Sequence, residues 1–235
     1  MSDIVIKNFT FGFNGKDLFS NFDMKFEEGK INVVLGSSGV GKTTLLNAIT
    51  GLIKYEGEIT GVPDKISYIF QKDRLISSLS IYKNLDLILK TEFKDKKLRK
   101  KMIEEMLERL EIAEVFKRLP ENISGGQARR VSMARAFLYP SGLLILDEPF
   151  KELDVALKTR LIKEFFKLWE SDRRTVIMVT HDIYEALLMA DKAYVIADSP
   201  VKVVHEEEFT SDRIGRKLTD PDVTEARDRI IAKIL

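Results

Sequence analysis

The octapeptide Gly36-Ser-Ser-Gly-Val-Gly-Lys-Thr43 stands between an almost wholly apolar run, Ile31 to Leu35, and a helix-like segment over Lys42 to Thr50. No other stretch restricts the fold as strongly. The apolar run predicts a strand covered on both faces, so the order is strand, loop, helix. The octapeptide fits G-x-x-x-x-G-K-[ST]. In that pattern glycines let backbone N–H groups wrap phosphates, the lysine reaches the β- and γ-phosphates, and the hydroxyl ligates magnesium. Those roles fall to Gly36, Gly39, Gly41, Lys42 and Thr43, with Ser37, Ser38, Val40 and Thr44 completing the phosphate-binding loop. Average residue frequencies would produce the pattern in roughly one chain in a hundred of this length, so an ordinary glycine turn is the weaker reading.

The flanking segments supply the rest of an α/β core. From Ile4 to Phe26 apolar residues alternate, as at Phe22, Met24 and Phe26, around a turn signal at Asn14-Gly15, which predicts antiparallel strands. Apolar strands return at Leu143 to Leu146, Val176 to Val179 and Ala193 to Ile196, separated by helical patterns at Val155 to Trp169 and Ile183 to Met189. Such alternation predicts a mainly parallel sheet. Between Ile81 and Leu119 the chain turns charge-rich and helical, with Leu98, Met102, Met106 and Leu110 near one face. A strand at Val201 to Val204 and a short amphipathic helix after Asp220 close the chain. The expected organisation is one domain over 1–235. Residues 1–80 and 140–235 form a nucleotide-binding core with an N-terminal antiparallel β-subdomain, and 81–139 form a helical insert.

Composition narrows the chemistry. The 235 residues carry 38 Lys and Arg against 37 Asp and Glu, a net charge of +1 that gives no global reason for a nucleic-acid partner. There is no cysteine, which removes disulfides, thiolate metal sites and cysteine nucleophiles together. Only His181 and His205 offer imidazole, which argues against a multi-histidine zinc site. No window approaches the roughly 18 apolar residues of a spanning helix, and the N-terminus lacks a leader pattern. The expectation is a cytoplasmic chain that does not itself cross a membrane.

Two further stretches point to chemistry. Leu143-Leu-Ile-Leu-Asp147-Glu148 ends a buried strand in two acids followed by Pro149. Asp147 can hold magnesium or its water shell, and Glu148 can orient or deprotonate the water that attacks the γ-phosphate. In Ile123-Ser-Gly-Gly-Gln127 a serine and two glycines open a helix and expose its N-terminal N–H groups, making a second anion site.

In their order along the chain the phosphate loop, Ser124-Gly125-Gly126-Gln127 and the Asp-Glu strand resemble the motifs of ATP-binding cassette (ABC) ATPases, whose signature is usually LSGGQ. The resemblance runs over almost the whole chain and implies the fold of that family: a P-loop NTPase core, an antiparallel β-subdomain and a helical insert. It implies further roles. Phe13 is similar to the aromatic that stacks on adenine, with Phe11 in reserve. Gln71, in YIFQKDR, resembles the Q-loop glutamine that contacts magnesium and the attacking water. Asp154, in KELD, resembles the D-loop aspartate, and His181, in VTHD, the switch histidine at the γ-phosphate.

The resemblance also implies an ATP-dependent homodimer, in which the phosphate loop of one copy and the Ser124-Gly125-Gly126 helix end of another close on one ATP. A second set of helix-end dipoles facing the γ-phosphate stabilises the closed state only while that phosphate is attached. YIFQKDRLISSLSIYKNLDL and DEPF resemble the nitrate, sulfonate and taurine importer ATPases. A transmembrane permease gripped between Gln71 and the helical insert, a solute-binding protein acting indirectly, and residence at the cytoplasmic face of the membrane follow as implications. The tail is too short for the regulatory domains of sugar and methionine importers, so no effector-sensing domain is expected. A soluble ABC ATPase acting on ribosomes or DNA is the alternative; the chain has neither the second cassette nor the long coiled-coil insert usual there. A P-loop kinase leaves the Ser-Gly-Gly helix unexplained. One departure stands out: the family's Gly-Ala after DEPF is Lys151-Glu152 here, a charged pair beside the expected dimer seam.

Overall fold

The computed structural model describes residues 2–213 and 215–234. They form two compact units. The first holds the chain up to Ile66, Gly142–Glu148 and everything from Arg173 on; the second holds Ser67–Ser141 and Pro149–Asp172. The second unit therefore contains 81–139 and adds the segment around Gln71 and the helix after Asp154.

The first unit opens with strands β1 (Ile4–Phe13) and β2 (Lys16–Phe26), paired antiparallel from Ile4↔Phe26 to Phe13↔Lys16. Asn14 and Gly15 both take positive φ, 50° and 77°, the pair of conformations that a tight two-residue hairpin turn requires. Strand β4 (Glu56–Thr60) joins the other edge of β1. Phe9, Phe19, Phe22 and Phe26 are buried, and the Phe9–Phe19 and Phe19–Phe22 rings meet edge-on at 4.9 and 5.1 Å. Sequence periodicity overlooked β4 because EGEIT shows no apolar alternation; its place comes from the backbone ladder to β1 alone.

The larger sheet holds β3 (Ile31–Leu35), β6 (Leu143–Asp147), β7 (Thr175–Thr180), β8 (Lys192–Ala197) and β9 (Lys202–Glu208). Within the first unit their order is β6-β7-β3-β8-β9; all neighbours are parallel except β8 and β9. Every residue of β3 and β7 is buried, as expected for strands covered on both faces. Strand β9 begins one residue later than Val201 and runs four beyond Val204, exposing Glu206 and Glu208 on the outer edge, where charge discourages further pairing. Helices α1 (Lys42–Ile49), α6 (Ile183–Met189) and α7 (Pro221–Ile234) complete this unit, and α7 is a full 14 residues.

The chain crosses into the second unit within β5 (Ile66–Ile69). Helices α2 (Ile81–Leu89), α3 (Lys96–Arg109), α4 (Gly125–Leu138) and α5 (Val155–Glu170) follow. The expected apolar face of α3 needs correction. The buried stripe is Arg99, Ile103 and Leu107; of the expected residues Leu110, at the end of the helix, is buried, while Leu98 is exposed and Met102 and Met106 are half-buried. The helix is rotated because Arg99 belongs inside: its Nε donates to Asp86 at 2.6 Å, and Nη1 donates to the carbonyls of Phe93 and Lys94. Arg130 clamps Glu164 with two bonds of 2.8 and 2.7 Å, tying α4 to α5. Among the described residues no helix is long and apolar enough to cross a membrane.

Candidate functional site

Strands β3, β7 and β6 lie side by side and parallel, so their carboxyl ends open on one crevice, the place where open α/β sheets bind ligands. Each end delivers one expected residue. Beyond β3 the phosphate loop runs into α1. Gly39 and Gly41 take φ of 82° and 119°, and a Cβ built on Gly36 would sit 2.8 Å from the Ile196 carbonyl. The Gly36 N–H donates to the Thr180 carbonyl at 3.2 Å, fastening the loop to β7.

Lys42 is 5% exposed, and its ammonium folds back to donate to the carbonyls of Gly36 at 2.8 Å and Ser37 at 2.9 Å. Glu148 Oε1 lies 3.8 Å from Lys42 Nζ and 3.3 Å from His181 Nδ1. Glu148 itself occupies a left-handed backbone position, φ 44°, and its N–H donates to the Val179 carbonyl. Strain of that kind collects where a side chain must be aimed. Asp147, at the end of β6, is half-buried; Thr43, Ser37, Ser38 and Gly39 are exposed along the loop, and Val40 and Thr44 are half-buried.

The loop fits a phosphate group. Helices α2, α3, α4, α5 and α6 each have a side chain, Ser80, Asp95, Ser124, Asp154 and Asp182, accepting an N–H of their first turn. Helix α1 has no side-chain cap and no acid in its first turn, so its amino end is left for an exogenous anion beside a buried ammonium.

His181 sits between a strand and a helix that are locked together. The Thr180 hydroxyl donates to buried Glu185 at 2.6 Å and accepts the Asp182 N–H at 3.0 Å, while Asp182 caps α6. Thr180 and Glu185 were missed by sequence reasoning, although Thr-His-Asp followed by an acid at the third helical residue is the spacing that closes this bond. The His181 side chain remains 40% exposed and faces the crevice group through Glu148.

Phe13 is 60% exposed near the hairpin turn and meets Phe11 edge-on at 4.8 Å. Phe11, with Lys16, Lys54 and Tyr55, lines an open cleft of about 460 Å³.

The remaining expected residues belong to the second unit. Ser124 caps α4 in a reciprocal box: its Oγ accepts the Gln127 N–H at 3.2 Å, and Gln127 Oε1 accepts the Ser124 N–H at 3.0 Å. Gln127 Nε2 donates to Glu114 at 2.7 Å, so both ends of that amide are occupied. A Cβ on Gly125 would meet nothing within 4 Å, and one on Gly126 would touch the Leu157 side chain at 3.3 Å. Asp154 is exposed and caps α5 by accepting the Leu157 N–H at 2.9 Å. Gln71 is half-buried, and its main-chain carbonyl accepts from Arg129.

A parallel sheet with a glycine loop at one strand end, and a lysine, a glutamate and a histidine converging there, defines a phosphate-loop nucleoside triphosphatase. Residues 19–151 match the ABC transporter family, and the chain belongs to it. It is 33% identical over 219 residues to the aliphatic sulfonates import ATP-binding protein SsuB 3 of Nocardia farcinica, covering 93% of this chain and 85% of that one. It is 30% identical to the taurine import ATP-binding protein TauB of Escherichia coli K12, covering 94% and 93%. Among solved structures it resembles the ATP-binding cassette MJ0796 in a dimeric post-hydrolysis state bound to ADP and Pi. The TM-score is 0.75 at 28% identity, over 89% of this chain and 100% of that one. The fold is therefore that of an ABC ATPase, as the motifs implied.

Proposed function

We propose that this chain is the ATP-hydrolysing motor subunit of an importer, coupling Mg-ATP binding and hydrolysis to uptake of a small solute of the nitrate, sulfonate or taurine kind. The observation that carries the ATPase reading is the meeting of Lys42, Glu148 and His181 at the carboxyl ends of adjacent parallel strands. The import reading rests on relatives whose names describe sulfonate and taurine import.

Each residue then has a task. Gly36 to Thr44 hold the phosphates: backbone N–H groups of the loop and α1 take the oxygens, and Lys42 exchanges its two carbonyl partners for the ligand's outer phosphates. Thr43, Gln71 and Asp147 hold magnesium directly or through water. Magnesium, when bound, neutralises phosphate charge and orients the triphosphate. Glu148 orients the attacking water and accepts its proton, and His181 beside it steadies that carboxylate and faces the γ-phosphate. Phe13 stacks on the adenine. Ser124, Gly125, Gly126, Gln127 and Asp154 act on the nucleotide of a second copy, so the chain works as an ATP-dependent homodimer. Residues 1–235 serve as one ABC ATPase domain.

The dimer docks on transmembrane permease subunits at the cytoplasmic face of the membrane, with a solute-binding protein acting through the permease and no nucleic acid involved. The test is affinity capture of tagged Glu148→Gln protein from native membranes and cytosol with Mg-ATP present. A multi-spanning permease in the capture supports the importer. Ribosomes or DNA enzymes without a permease would move the chain to the soluble class.

A further inference from the structure

The segment after the signature, Ala128-Arg-Arg-Val-Ser-Met-Ala-Arg135, was left without a role by the motifs. In the structure one face of α4 grips the loop that carries Gln71. Arg129 Nη1 donates to the Phe70 carbonyl at 2.6 Å and Nη2 to the Gln71 carbonyl at 2.8 Å. Ser132 Oγ donates to the Asp73 carbonyl at 3.2 Å, and Arg135 donates to the carbonyls of Asp73 at 3.0 Å and Arg74 at 2.9 Å. Residues 129, 132 and 135 follow at intervals of three, so they share one helical face.

These carbonyls lie between β5 and α2, outside any strand or helix. A loop placed so depends on side chains for its backbone partners. Arg129 is 4% exposed and faces one carboxylate, Asp73, at 3.2 Å. Burial pulls its guanidinium below the ordinary range while Asp73 opposes that shift. A buried guanidinium is an inefficient way to add stability, and its planar fork, spanning two consecutive carbonyls, is a precise way to fix a main chain. From Gly126 to Arg129 along α4 is only about 4.5 Å at 1.5 Å per residue.

We propose that Arg129 is a positioning residue for Gln71, fixing the Gln71 loop to the helix that begins with Ser124-Gly125-Gly126 so that loop and signature move as one piece. The functional consequence rests on the assignment of Gln71 above. Any displacement imposed on the loop is delivered to the helix end within the same chain, and closure of the helix end is reported back to Gln71.

The absence of cysteine allows a direct test on the full chain. A nitroxide on Lys72→Cys, an exposed position inside the gripped loop, reports its mobility. Arg129→Gln is expected to sharpen the spectrum and Arg129→Lys, which keeps charge and stem, to give an intermediate one. Retained binding of a fluorescent ATP analogue confirms that both variants are folded. Unchanged spectra in both variants overturn the grip. In Mg-ATP turnover, Arg129→Gln should lower kcat about tenfold with little change in KM, the loss expected for charge-assisted hydrogen bonds, and should add nothing in a Gln71→Ala background. Equal losses in both backgrounds would show that Arg129 does not act through Gln71. If Gln71→Ala alone leaves kcat intact, the assignment of Gln71 falls, and the spectra still decide whether Arg129 holds the loop.

Discussion

At the scale of single residues the phosphate loop separates two costs usually confounded. Gly39 and Gly41 both have positive φ, but a Cβ on Gly39 would enter open space while one on Gly41 would sit 3.0 Å from the Phe19 ring. Gly39→Ala should therefore cost stability through backbone strain alone, about 1 kcal/mol, and Gly41→Ala about 2–3 kcal/mol because a buried ring must also move. Urea denaturation of the two variants checks the order. A smaller loss at Gly41 would mean that Phe19 yields freely. Lys42→Ala removes the buried ammonium and leaves the Gly36 and Ser37 carbonyls without its donors, so it should abolish measurable ATP binding and lower the unfolding midpoint, read by nucleotide fluorescence and thermal denaturation. Glu148→Gln keeps shape and should keep ATP binding while lowering kcat by roughly 10²–10⁴, the contribution of a general base. Near-normal turnover would remove the carboxylate from that role.

At the scale of elements, caps and clamps decide how the pieces hold. Ser124→Ala removes one arm of the reciprocal box on α4 and should cost about 1 kcal/mol by urea denaturation. Helix α7 is held to β9 by Arg229, which donates to Glu207 through Nε and Nη2 at 3.0 and 2.7 Å, with His205 at 2.9 Å from the same carboxylate. Arg229 chiefly, then His205, holds the Glu207 pKa below its ordinary 4.5. A depressed carboxylate pKa stabilises the fold fully above the unfolded value and loses that contribution as pH falls through the folded one. The stability gap between the natural chain and Arg229→Gln should thus be widest above about pH 4.5 and close on further acidification; a gap that grows in acid contradicts the clamp.

The same scale explains what could be read from sequence. Buried strands announce themselves through runs such as Ile31 to Leu35, and chemistry at their ends through Gly36 to Thr43 and Asp147-Glu148. The α3 face was misjudged because Arg99 is buried by a partner 13 positions away, Asp86, which no periodicity reveals. The α4 grip was invisible for the same reason: a charged side chain reads as surface until its acceptors, here loop carbonyls, are in view. The bond between Thr180 and Glu185 is local, and its spacing was there to be noticed.

At the scale of the whole molecule, Lys151 is half-buried and Glu152 exposed at φ 64° in the segment proposed to face a second copy. Like pairs across a seam repel and desolvate at a cost, and Gly or Ala there lets backbones approach. In a Glu148→Gln background with Mg-ATP, the Lys151→Gly, Glu152→Ala variant should dimerise at lower concentration than its parent in sedimentation velocity; equal association constants would place these residues outside the seam.

The order of the larger sheet reaches further. Strand β7 lies between β3 and β6, and β8 lies on the other side of β3, although all of the chain up to Asp172 is made before either. While the ribosome synthesises this chain, β3 has neither of its eventual neighbours in this sheet and β6 lacks β7. The phosphate loop is thus translated well over a hundred residues before the strands that will hold its root exist. The nascent chain must wait with its most apolar segments unpaired, so chaperone demand should peak just before Thr175 emerges and fall once Ala197 is free.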